Sequence, residues 1–305
     1  MTTILFPARP GTREVDSAFE SERDAASSAG FSTALVDDGE LAFGGDVRLV
    51  GLPRQPGRVI YRGWLMRSSD YARCADVLQG RGFTLETKPA DYLCTYHLPN
   101  WYGLVSATGL TPKTIWFAGK EFDLSEIAAR VHERFGRSPL VLKDYVKSRK
   151  HEWFEACFIP DAGDIDAIRR VTQRFLELQD DALVGGLVYR EFWPTRSVGL
   201  HPKSRAPMAN EHRLFVWRGK VFYSRPYWSV ADYGDVRPPV DLVAPILEKN
   251  VSPFYAVDIA ELERGGWFVV ECNDGGSAGL PDPNDCVDFY RALAQAGAGH
   301  ESGMS

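Results

Sequence analysis

Cysteine is scarce and unpatterned. Cys74, Cys94, Cys157, Cys272 and Cys286 form an odd set with no CxxC spacing, which excludes a disulfide framework and a zinc cluster as organising features. Long apolar runs are missing too: no window approaches the ~18 uninterrupted apolar residues of a membrane-spanning helix. The opening MTTILFPARPGTREVDS lacks a basic segment followed by an apolar stretch and a cleavage site, so the expected location is cytoplasmic. Positive charge is in deficit, and the formal net charge of -6 argues against an electrostatic grip on nucleic acid or an anionic membrane. There is no internal repeat, no low-complexity tract and no GxxxxGK[ST] phosphate loop. What is present is the composition of an ordinary globular enzyme, in a chain of 305 residues that is long enough for two or three lobes.

Up to residue 100, short apolar runs (TILFP, STALVDD, DVRLVG, GRVIYRGW) alternate with helical stretches, the pattern of a small α/β lobe. LPNWYGLVSATGLTPKT then reads as Gly and Pro punctuation leading into a second unit. Beyond it, DLSEIAARVHERFG is a helix capped by Asp123 and stopped by Gly136. SPLVLKDYV is a strand, WFEACFIPD is expected as another, and IDAIRRVTQRFLEL carries one apolar helical stripe. ALVGGLVYREFW is a further strand, opening into the polar TRSVGLHPKSRAPMAN, where no regular element is expected. Two hairpins, EHRLFVWRGKVFYSRPYW and FYAVDIAELERGGWFVVECND, precede a last helix near DCVDFYRALAQAG. The expected division is 1–100, 101–190 and 191–305.

The second hairpin suggests a metal seat. Strict alternation in GWFVVECND places Val269, Glu271 and Asn273 on one face. A two-residue turn involving Gly265 sets Asp258 opposite either Glu271 or Asn273, and either register brings three oxygen ligands together. Hard ligands of this type suit magnesium shared with nucleotide phosphates. Alone, the three residues read equally as the solvent-facing side of a hairpin, because acidic residues facing each other repel unless a cation lies between them. A second feature supports the phosphate reading. In VLKDYVKSRKHEW, Lys143 stands inside an apolar strand, and Lys147, Ser148, Arg149 and Lys150 crowd the turn that follows. Such a concentration of cations calls for an anion, and a strand lysine facing a cleft can bridge α- and β-phosphates.

Taken in order, the lysine strand with its polar turn, YREFW, the EHR strand and the Asp258, Glu271, Asn273 set resemble the ATP-grasp superfamily. Within it the chain is similar to the clade named for one arginine and two lysines, which is also related to the eukaryotic assembly chaperone of translation initiation factor two. The resemblance spans about residues 55 to 285. It implies two α+β subdomains gripping ATP, preceded by the small α/β lobe, with ATP and magnesium as cofactors. Lys143 and Lys147 match the two lysines and Arg62 the arginine, while Glu191 and Phe192 take the position of the hinge whose backbone reads adenine. Arg213, on one strand face with Glu211 and Phe215, and Arg225 on the returning strand form a paired arginine face compatible with γ-phosphate or acyl-phosphate binding. A surface salt bridge between Glu211 and Arg213 is the plainer alternative.

The activity this implies is a carboxylate-amine ligase working through an acyl phosphate, with Arg213, Arg225 and Lys147 as the catalytic cations and an amino acid or peptide as substrate. The segment Arg196 to Asn210, with Lys203 and Arg205, and the glycine-rich GGSAGLPD are the places expected to hold a substrate carboxylate. Two rivals remain open: an ATP-dependent assembly or binding protein with a protein partner, and a small-molecule kinase. His151, His201 and His212 read more simply as surface residues than as bases.

Overall fold

The apolar run TILFP is buried on both faces, with Ile4, Leu5 and Phe6 fully inaccessible, as suits a central parallel strand. In the computed structural model, which describes residues 2–42, 44–202, 207–249 and 252–301, this run is β1 (Thr2–Pro7). With β2 (Ser32–Val36), β3 (Leu49–Val50), β4 (Arg58–Tyr61) and β5 (Thr84–Leu85) it forms a sheet in the order β3-β2-β1-β4-β5. The pairings are parallel except for β2 with β3. Helix Glu20–Ser28 covers one face through Ala25 and Ala26, and Ser68–Gly80 covers the other through Tyr71, Cys74 and Leu78. This is the α/β lobe expected from the alternation.

The next segment departs from expectation. LPNWYGLVS is not a connection but a helix, Leu98–Ser106, with Pro99 in its first turn, where a missing N–H costs nothing. Leu98, Trp101 and Val105 make it amphipathic, and their burial outweighs Gly103.

β6 (Thr114–Ala118), β7 (Leu140–Asp144), β8 (Phe158–Ile159) and β9 (Gly186–Glu191) build an antiparallel sheet in the order β6-β9-β7-β8. Helices Leu124–Phe135 and Ile165–Gln179 pack on it through Ile127, Val131, Ile168, Val171 and Phe175. The Asp123 carboxylate accepts from the N–H groups of Ser125 and Glu126, and Gly136 (φ 62) ends the helix, as expected. WFEACFIPD is a strand only at its end. Trp153–Cys157 is one π-helical turn closed by the Phe158 N–H on the Trp153 carbonyl. That spacing of five residues stacks the two rings, with centroids 5.1 Å apart and planes 10° from parallel.

The polar segment after β9 contains a short antiparallel ribbon, β10 (Ser197–Leu200) with β11 (Pro207–Ala209), where the sequence predicts no element. Lys203 and Arg205 lie outside the described residues. β12 (Glu211–Trp217), β13 (Lys220–Pro226), β14 (Phe254–Glu261) and β15 (Trp267–Asp274) then form the two expected hairpins in one antiparallel sheet, ordered β13-β12-β14-β15. Leu214, Val216, Tyr255 and Val257 turn one face toward Leu98 and Trp101. Phe215, Phe254 and Ala256 turn the other toward Ile4 and Phe6 of the first lobe and Phe289 and Tyr290 of the C-terminal helix Cys286–Glu301. Among the described residues no helix is long and apolar enough to cross a membrane.

Candidate active site

The face of the last sheet that carries Phe215 and Phe254 changes character along β12 and β14. Past the aromatic core come Arg213 and Asp258, directly opposite each other, then Glu211 and Ala260. On β15 the hairpin register has two causes. The loop is Glu263-Arg264-Gly265, a three-residue turn with Gly265 at φ 86, closed by Leu262 N–H on the Gly266 carbonyl at 2.8 Å. Unaided, that turn would set Asp258 opposite Val270. A β-bulge between Val269 and Glu271 inserts one residue and brings Glu271 opposite Asp258. The expected strict alternation therefore fails here: Val269 is buried in the core on the other side, while Phe268, Val270 and Glu271 all face a cleft of about 450 Å³.

Arg190 explains the bulge. From β9 it reaches across the cleft, donates to the Val270 carbonyl, to Val269 O at 3.1 Å and to Thr111 Oγ1 at 2.6 Å, and lies over the Trp101 ring. The kinked backbone turns carbonyls toward a cation, binding two sheets together at the base of the cleft. Burial lowers the Arg190 pKa to about 10, opposed by Glu271.

The opposite wall is β7 and its turn. Lys143 is buried, with Nζ 3.5 Å from Glu271 Oε2. Burial lowers its pKa, and Glu271 works against that shift. Asp144, one residue on, organises the turn: Oδ1 accepts from the N–H groups of Val146 and Lys147, both at 2.6 Å, and Oδ2 from Gln179 at 2.8 Å. Lys147, Ser148 and Lys150 consequently line the cleft with Lys143. Burial opposes the charge of Lys150, but Glu271 and Glu211 outweigh it and raise the pKa. Trp153 and Phe192 form the apolar end of the cleft, in edge-to-face contact at 5.8 Å and backed by Phe158.

The carboxylates are unequal. Burial opposes ionisation of Glu271, yet Lys143, Lys150 and the Asn273 amide, 3.2 Å from Oε1, hold it down to about 2. Glu211 is pushed up to about 8 by burial and by the charges of Asp258 and Glu271. It faces the cleft and is not a surface residue. Asp258 is wholly buried and receives Arg213 Nε at 2.8 Å on Oδ1 and Nη2 at 2.6 Å on Oδ2. Burial pushes the Asp258 carboxyl up, opposed by those bonds; for Arg213, Asp258 outweighs burial and raises the pKa well above the ordinary value. Arg213 Nη1 also donates to the Gly279 carbonyl at 3.0 Å, and its guanidinium lies over the Tyr227 ring at 5.0 Å. There Arg213 enters a second cavity of about 420 Å³, walled by Tyr227, Trp228, Leu280 and Pro281.

Several expected assignments change. Arg62 is buried away from the cleft, clamped by Glu22 at 2.7 Å and by the carbonyls of Gly275, Gly276 and Ala278. It fastens the GGSAG loop to the first lobe, and Arg190 is the arginine that lines the cleft. Arg225 does stand opposite Arg213, but its side chain pairs with Asp285 at 2.8 Å and lies over Tyr223, outside both cavities. Glu191 and Phe192 line the cleft, and their N–H groups donate to the carbonyls of Lys113 and Pro139, which leaves a backbone reading of adenine there to their carbonyls. Arg190, Glu211 and Trp153 are the cleft residues that sequence reasoning passes over or assigns elsewhere, while Lys150 lines the cleft with the other cations of its turn as expected. The legible signal for Arg190 is a lone cation inside the apolar run LVYRE.

Asp274 ends β15. Its Oδ2 takes the Ser277 N–H at 2.9 Å, while Oδ1 is buried without a partner among the described residues. Burial pushes it up to about 7. Between the unfolded carboxyl value and about 7, the native state binds the extra proton, so this group's contribution to stability falls as pH rises through that window. Urea unfolding of the wild type against Asp274→Asn from pH 4 to 8 is expected to show a shallower loss in the variant; parallel profiles would refute the assignment.

Two antiparallel sheets, closing on a cleft with lysines on one wall and carboxylates on the other, define the ATP-grasp architecture. Residues 132–293 match the ATP-grasp domain of family 3 in the clade named for one arginine and two lysines, and the chain belongs to that family. No curated protein matches it. The fold is similar to that of a RimK domain ATP-grasp protein from Sphaerobacter thermophilus, with a TM-score of 0.61 at 16% identity, covering 97% of this chain and 99% of that one. It is also similar to the D-cycloserine synthetase DcsG (0.61, 15% identity, 96% and 98% covered). A third likeness is to the D-alanine-D-alanine ligase from Coxiella burnetii (0.58, 11% identity, 97% and 93% covered).

Proposed function

We propose that the chain is an ATP- and magnesium-dependent ligase joining a small carboxylate to an amine. The observation that carries this reading is the face of β12, where Glu211 lines the first cleft and Arg213, two residues on, lines the second cavity. Alternate residues of a strand lie about 7 Å apart, so a phosphoryl group in the cleft and a carboxylate at Arg213 come within reacting distance. The adenine ring lies against Trp153 and Phe192, and the phosphates lie toward Lys143, Lys147, Ser148 and Lys150.

A carboxylate oxygen attacks the γ-phosphorus, and the bond to the bridging oxygen breaks, releasing ADP. The amine then attacks the acyl carbon, loses a proton to solvent and expels phosphate. Arg213 orients the carboxylate and opposes the charge that gathers on its oxygens. Lys143 and Lys150 do the same for the phosphoryl oxygens. The donor set fits a divalent cation: burial, with the charges of Asp258 and Glu271 beside it, raises Glu211, a cost that a cation would relieve, and Glu271, Asn273 and Glu211 offer hard oxygens. Asp258, with both oxygens engaged by Arg213, serves this set by holding that arginine. Magnesium, when bound there, supplies charge neutralisation for the phosphates. The division at residues 100 and 190 suits this reading, with the two later units as the jaws.

The test is incubation with ATP, magnesium, a panel of amino acids and short peptides, and hydroxylamine as trapping amine. Carboxylate-dependent ADP release with hydroxamate formation is expected. ADP release with a stable phosphorylated product would make the protein a kinase, and no substrate-dependent ADP would make it a binding protein.

A further inference from the structure

Resting on the reading above, we infer that the carboxylate substrate carries an aromatic or bulky apolar side chain, and that the second cavity selects it. Arg213 is the one charged side chain lining that cavity among the described residues, and it sits where β12 passes from the nucleotide cleft. Around it flat and apolar groups share the lining with His201 and Ser229: Tyr227 and Trp228 in edge-to-face contact at 5.1 Å on one side, Leu280 and Pro281 on the other, and Val230, 59% exposed, at the mouth.

This division of labour names the chemistry of the occupant. Arg213 offsets the charge of a carboxylate, and its remaining contacts fix the guanidinium plane: Asp258 holds one edge, the Gly279 carbonyl takes Nη1, and Tyr227 lies against its face. No described lining residue is acidic, so an ammonium-bearing side chain would share the cavity with the positive Arg213 and find no carboxylate, only the weaker attraction of the aromatic faces. Among the described lining residues a second carboxylate would meet no second lysine or arginine, only His201. A planar or branched apolar group instead covers the indole and phenol faces and the Leu280-Pro281 edge, gaining contact area. At about 420 Å³ the cavity has room for one amino acid with a large side chain, not for an extended peptide.

Besides His201 and Arg213, the cavity is built from two segments that the nucleotide cleft does not use. Tyr227 follows β13 and is tied to the cleft strand by its N–H on the Glu211 carbonyl at 2.8 Å. Leu280 and Pro281 continue the loop that Arg62 anchors to the first lobe through the carbonyls of Gly275, Gly276 and Ala278. Both walls are therefore held before any substrate arrives.

The experiment measures binding apart from turnover. Intrinsic tryptophan fluorescence of the purified full chain is titrated with phenylalanine, leucine, glycine, glutamate and lysine, and ATP-dependent hydroxamate formation is followed in parallel. Phenylalanine and leucine are expected to bind at least about tenfold more tightly than glutamate or lysine, a ratio equivalent to one good aromatic contact. Trp228→Ala should erase that preference while kcat with glycine changes less than kcat/KM with phenylalanine, and Trp228→Phe should restore it. Val230→Asp, an exposed substitution that leaves the packing untouched, should weaken binding of every carboxylate and least of all lysine. Equal or tighter binding of glutamate or lysine overturns the inference whether or not hydroxamate forms. Selective binding of the apolar amino acids without hydroxamate keeps the specificity and overturns the ligase reading instead.

Discussion

Lys143→Met is expected to lower kcat/KM for ATP-dependent hydroxamate formation by at least about 100-fold, the usual loss when one preorganised charge donor is removed from a phosphoryl-transfer site. The substitution preserves length and apolar stem, so the packing of β7 against β9 should persist. Only the ammonium is lost, and that ammonium faces Glu271 across the cleft. Without it Glu271 retains Lys150, which predicts that the Glu271 carboxylate stays ionised and that the fold survives. Urea unfolding should therefore place Lys143→Met within about 1 kcal/mol of the wild type. Lys147→Met, at a more exposed position of the same cleft, should cost less turnover. Retained turnover in Lys143→Met, or collapse of its fold, would remove this lysine from the phosphate grip.

The contrast between Lys143 and Arg62 shows what is readable in the sequence. Lys143 is a lone cation in an apolar strand and Arg62 one directly after another, and nothing local distinguishes one that faces a cleft from one that fastens a loop. The lysine can be assigned because the turn after it is crowded with further cations, a local signal. Arg62 is decided by Glu22 and the Gly275–Ala278 carbonyls, 40 and more than 200 residues away. Elements with strong periodicity or caps, such as Leu124–Phe135 and Ile165–Gln179, are legible to within a residue or two. Elements formed by tertiary demand are not. Leu98–Ser106 is helical because its apolar stripe meets the last sheet, and Trp153–Cys157 is a π turn whose five-residue spacing stacks two rings, with no local signal to announce it. The hairpin register is reached by a route different from the expected one, since a three-residue turn and a bulge together produce the pairing that a two-residue turn would give alone. The bulge is set by Arg190 on another strand, which no local pattern in GWFVVECND discloses.

Asp258→Ala is expected to destabilise the protein by about 3–5 kcal/mol, the cost of leaving a buried guanidinium without its carboxylate. Sequence alone predicts that the same substitution spares the fold and removes a metal ligand. The bidentate pair with Arg213 changes that expectation, because Asp258 is wholly buried and Arg213 nearly so, its guanidinium reaching only the second cavity. Turnover should vanish in Asp258→Ala for two reasons at once, so stability must be measured beside it. The separating variant is the double substitution Asp258→Leu with Arg213→Met, which replaces the ion pair by apolar groups of similar length. Burying an ion pair is costly, so the double variant should recover most of the stability lost by Asp258→Ala while remaining inactive. Recovered stability with no carboxylate-dependent ADP release would assign the pair to substrate orientation. Activity returning with stability would reduce it to a packing element, and the path from the nucleotide cleft to the second cavity would have to run through another residue.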